Sequence, residues 1–149
     1  MHPFDLKAAL LAKHAQHVVL IHFPIALFIA GVAFDFLAQR TKRQFLAAAA
    51  YCNLLAAAVV TVPVLITGVF AWQWQLEGQR LKGILLMHLV LGSASSLLIW
   101  VVCLVHVRAQ RKFGGVLPGY RLALEVIGVA LVTFTGHLGG FLSGVNGPG

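Results

Sequence analysis

The chain has 149 residues, 60% of them hydrophobic and 10% charged, with a mean hydropathy of +0.90. A soluble domain carries roughly a quarter charged residues, so this balance excludes one and leaves an integral membrane protein. The net charge of +7 sits in short loops between apolar runs, a pattern of membrane topology and contact with anionic lipid, not of nucleic-acid binding.

Residues 1–16 are mixed. Leu6 and Leu10 are interspersed with Lys7, Lys13 and His14, and a short interfacial helix lying on the membrane is expected. A first apolar run, about His17 to Ala38, is near the ~20 residues a bilayer core requires. Mixed residues precede it and Arg40, Lys42 and Arg43 follow, so it reads as a retained span rather than a cleaved signal peptide. The second run, about Phe45 to Ala71, contains Pro63, which deprives the carbonyl of Val59 of its helical partner. Trp72 and Trp74 then read as interfacial anchors. The third and fourth runs cover about Ile84 to Val107 and Leu122 to Leu142, and a Gly-rich tail closes the chain. Cys52 and Cys103 lie inside apolar runs without CxxC spacing and read as small buried hydrophobes.

The expected fold is all-α: a single membrane domain over residues 1–149, an up-down four-helix bundle joined by short loops. Lysine and arginine concentrate in the loops after spans 1 and 3, whereas Arg80 and Lys82 of the middle loop are offset by Glu77. The positive-inside rule therefore sets both termini on the periplasmic side of a bacterial inner membrane.

Polar residues inside a membrane span are costly and mark function. Counting 1.5 Å of rise per residue, His22, His88 and His137 lie at one depth, roughly 6–9 Å below the periplasmic boundary, on three different spans. His17 stands at the boundary itself, and His106 at the opposite, inner interface. His17 and His22 are about 140° apart around a helix, so only one of them is expected to ligate a shared metal. Their surroundings are small or adaptable. Pro24 frees the carbonyl of Leu20, Gly92 shares a face with His88, and Gly136, Gly140 and Gly144 form a GxxxGxxxG ridge beside His137. Neutral imidazoles suit iron, zinc or copper. Bis-histidine haem b needs one histidine from each of two helices, and two of His22, His88 and His137 are the candidate ligands, with His17 as a propionate or quinol partner. Asp35 is expected to snorkel or to pair with Arg40 or Arg43, Glu125 to form a surface pair with Arg121, and Asn53 to hydrogen-bond across helices.

The elements His17-x-x-x-x-His22-Phe-Pro24-Ile-Ala, Asp35, His88-x-x-Leu91-Gly92 and Thr135-Gly136-His137-Leu138-Gly139-Gly140 resemble a bacterial family of four-span predicted membrane proteins classed as a domain of unknown function. The resemblance runs over roughly residues 14 to 147 and departs at Val18, where the family often has proline. It implies a four-helix inner-membrane protein connected with haem or respiratory electron transfer.

These readings converge on a b-type cytochrome-like subunit exchanging electrons with quinol or a c-type cytochrome through membrane or periplasmic redox partners. Two alternatives stand beside it: a non-catalytic accessory or assembly subunit of a larger respiratory complex, and a histidine-based metal-handling protein. Two methionines and no thiol pair give a copper(I) route little support. No acid lies near the outer histidines, so a hydrolytic triad is not expected.

Overall fold

The computed structural model describes residues 13–74, 76–112 and 116–144, with side chains from Gln16 onward. Five helices follow one another: α1 Lys13–Leu20, α2 His22–Thr41, α3 Gln44–Trp74, α4 Gly83–Lys112 and α5 Arg121–Leu142. The stretches Gln16–Thr41, α3, α4 and α5 are each long and apolar enough to cross a bilayer. No strand occurs among the described residues, and the protein is an integral membrane helical bundle. Most of the expected interfacial helix lies outside the described residues.

Helices α2 and α3 form one close hairpin and α4 and α5 another; contacts between the hairpins are sparser. The first hairpin turns on two residues. Lys42 adopts a left-handed conformation (φ 58°) and its N–H bonds Ala38 O at 2.8 Å, closing the last turn of α2. Gly31 lets α3 approach, since a Cβ there would lie 2.9 Å from the side chain of Leu54. Gly128 on α5 likewise receives the ring of Phe28, which a Cβ would meet at 2.6 Å. Phe28, Leu54, Ala57, Ile99, Val102 and Val132 form the midplane core that ties the hairpins together.

The first apolar run is not one unbroken helix. It is interrupted at Ile21, between α1 and α2. Pro24 is the cause: it has no N–H for Leu20 O, and its ring crowds that carbonyl. The break turns α1 against α3, where His17 packs on Gly68. Helix α3, by contrast, continues through Pro63. Thr67 Oγ1 lies 2.9 Å from Pro63 O and 3.0 Å from Val64 O in the following turn.

Candidate functional site

The end of the bundle where α1 begins and α5 ends is open. Two adjoining cavities occupy it, of about 260 Å³ and about 350 Å³. The first runs inward between α3 and α4 to Thr61, Ser95 and Val132, and its wall is mostly apolar. The second is an outer vestibule reaching Ser143 and Gly144. His17, His88 and Trp72 line both, so the two imidazoles flank the passage from vestibule to interior.

Hydrogen bonding fixes how these imidazoles are presented. His88 Nδ1 lies 3.1 Å from Thr135 O. A carbonyl only accepts, so Nδ1 carries the proton and Nε2 keeps its lone pair. The Thr67 hydroxyl gives its proton to a backbone carbonyl of its own helix and accepts from His17 Nδ1–H at 3.2 Å. Gly139 makes room for His88, whose Cε1 would be 3.2 Å from a Cβ there. Ser95 Oγ donates to Leu91 O and meets Thr135 Oγ1 at 3.1 Å, extending the polar contacts below His88.

The expected layer of His22, His88 and His137 is not assembled. His22 is exposed, and its Nδ1–H donates to Val18 O one turn back at 2.7 Å. His137 is exposed with its ring edge-on to Phe141 at 5.0 Å. Neither lines a cavity. The reason is rotation rather than depth. Helix α2 buries Pro24, Phe28, Gly31 and Asp35, and His22, two residues before Pro24, falls on the opposite side. Of the glycines, Gly92 and Gly136 line the inner cavity. The α5 ridge meets its neighbours through Gly136, whose Cβ would lie 3.4 Å from Ile25, and through Gly139. Gly140, expected to continue the ridge, is half-buried and lines neither cavity.

The opposite end, where the basic loops lie, is closed by a buried polar cluster. Arg121 Nε donates to Asp35 Oδ2 at 2.9 Å, and Arg121 Nη1 to Pro118 O at 3.3 Å. His106 Nε2 pairs with Glu125 Oε1 at 2.9 Å. All four side chains are at least 94% buried.

These pairings replace the sequence-based expectations. Asp35 does not pair with Arg40 or Arg43: Arg40 lies 4.9 Å over the ring of Phe36. Glu125 and Arg121 do not form a surface pair, since both are buried, and His106 is buried with them. Asn53 bonds within its own helix, to Ala49 O at 2.8 Å. Cys52 is exposed, although Cys103 is buried. Trp72 is half-buried, and its indole N–H donates to Gln79 O at 2.9 Å, which makes it a wall of the vestibule rather than a simple anchor.

The buried cluster left a signal in the sequence. His88, Gly92, Ser95, Ile99, Val102, His106 and Ala109 follow one another at spacings of three and four, so the stripe that places His88 in the cleft also carries His106 inward. Asp35 and Glu125 extend the buried stripes of α2 and α5 in the same way.

No curated protein and no solved structure matched the chain. The profile of one family, described as "Predicted membrane protein (DUF2231)", matches residues 13–147. That match takes in every helix described above, and the protein is a member of this predicted membrane protein family.

Proposed function

We propose that the protein is a b-type cytochrome-like electron-transfer subunit whose haem-binding region is the cleft at the terminal end. His88 is the primary ligand candidate, with His17 as the facing imidazole. The observation that carries this is the hydrogen bond from His88 Nδ1–H to Thr135 O. An imidazole held in that tautomer presents Nε2 to a metal, and metal-bound histidines are commonly fixed in this way. The two adjoining cavities, of about 260 Å³ and about 350 Å³, together fall within the roughly 300–1,000 Å³ of ligand pockets. Its apolar wall, broken by Gly68, Gly92 and Gly136, suits a flat apolar ring.

Bound haem would supply one-electron chemistry. The chain's own part is to orient His88, to exclude water through the wall formed by Ile25, Val64, Leu89 and Ile99, and to offer polar groups at the vestibule. His22 and His137 take no ligand role in this reading. The lysine and arginine distribution supports both termini on the periplasmic face of an inner membrane. Quinol and a periplasmic c-type cytochrome are the partners such a location favours.

A reduced-minus-oxidised spectrum of the purified protein tests the reading. The expected result is b-type absorption that is lost in His88→Ala and His17→Ala and kept in His22→Ala and His137→Ala. Absence of haem absorption from the wild-type protein overturns it and leaves the accessory-subunit reading.

A further inference from the structure

The cluster at the basic end contains more than two ion pairs. Donor atoms of Asp35, His106 and Glu125, one from each side chain, all lie within 4.8 Å of one another. The three residues come from α2, α4 and α5, so the ring of donors forms only when both hairpins are in place. Glu125 is fully buried, and its Oε2 has no hydrogen-bond partner among the described residues. A sealed carboxylate oxygen without a donor is costly, and such an atom calls for an explanation.

We propose that Asp35, His106 and Glu125 form a binding site for a first-row divalent metal ion, of the Zn²⁺ or Mn²⁺ class, near the basic end of the bundle. One imidazole nitrogen and two carboxylates make a borderline donor set that suits these ions rather than copper(I). Around tetrahedral zinc at ~2.1 Å, ligand atoms sit about 3.4 Å apart. The spacings in the cluster, from 2.9 Å between His106 and Glu125 up to the 4.8 Å limit, bracket that value. Arg121 donates to Asp35 Oδ2 at 2.9 Å and so orients this carboxylate. Glu125 Oε2 gains the partner it lacks if this carboxylate chelates. Where His106 donates its Nε2–H to Glu125 Oε1, that proton moves to Nδ1 as Nε2 takes up the metal.

The site lies near the basic end of the bundle. Asp35 lies six residues before the end of α2, and His106 six before the end of α4, about 9 Å at helical rise. His106 is eighteen residues from His88, about 27 Å along α4, so this site is separate from the cleft and does not depend on the haem reading.

The test is titration of the full-length protein in detergent, stripped with chelator, with Mn²⁺ and separately with Zn²⁺. One ion per chain is expected. Affinity should fall at least ~100-fold in Glu125→Gln and in His106→Gln, and persist in the His17→Ala/His88→Ala protein. Should the cluster variants misfold, Mn²⁺ bound to the His17→Ala/His88→Ala protein should show magnetic coupling to one imidazole nitrogen. No binding by the wild type overturns the proposal, as does binding that survives Glu125→Gln or disappears only with His17 and His88.

Discussion

The pair between Asp35 and Arg121 joins α2 to α5 across 86 residues of sequence, and it offers the sharpest test of how the basic end is held. Asp35 is 2% exposed and Arg121 6%. Removing one partner leaves the other charge sealed in an apolar surround, which typically costs about 3–5 kcal/mol. Arg121→Gln strands the Asp35 carboxylate, and Asp35→Asn strands the guanidinium. Each single variant should therefore lose stability on that scale. Asp35→Asn/Arg121→Gln removes both charges and keeps the volume and a neutral hydrogen bond. Its loss should be smaller than the sum of the singles by about 2 kcal/mol or more, the signature of direct contact. Reversible unfolding in mixed micelles, followed by helical circular dichroism, measures all four proteins. Additivity within about 0.5 kcal/mol would mean that the two charges do not meet, and the closed basic end would be refuted.

Other expectations follow from single contacts. Gly128→Ala brings a methyl to 2.6 Å from Phe28; overpacking of this kind should cost about 1–3 kcal/mol despite better helix propensity, and adding Phe28→Leu should recover most of it in the same unfolding assay. Lys42→Gly relieves a left-handed backbone at φ 58°, so a gain of about 1 kcal/mol is expected in thermal unfolding. Gly139→Ala pushes on His88 from 3.2 Å; in the haem reading it should shift the b-type spectrum while Gly136→Ala, with 3.4 Å to the movable end of Ile25, shifts it less. Trp100→Phe removes the indole bond to Thr61 Oγ1 at 3.0 Å and should lose about 1 kcal/mol.

Length and hydropathy made the four membrane-crossing segments legible, because a bilayer imposes a minimum apolar run and turns must be polar. Rise per residue set an expected depth for each histidine. Rotation was harder. His22 and His137 stand outside the buried stripes of α2 and α5. That offset can be read only once those stripes are counted from Phe28 or Val132 rather than from the histidines. The pairings at the basic end were hidden for another reason. Arg40 and Arg43 are near Asp35 in sequence, whereas Arg121, its actual partner, is brought there only when the second hairpin docks. The hydrogen-bonded tautomer of His88 depends on the carbonyl of Thr135, a backbone atom on another helix, and no side-chain pattern encodes it.

The bundle is fastened unevenly. Strong charged bonds clasp the hairpins at one rim, a greasy waist follows, and the far rim has a gap. That is the layout of a clothes-peg with its spring at the basic jaw. Mouth and clasp are separate parts of the bundle, so what fills the one need not loosen the other.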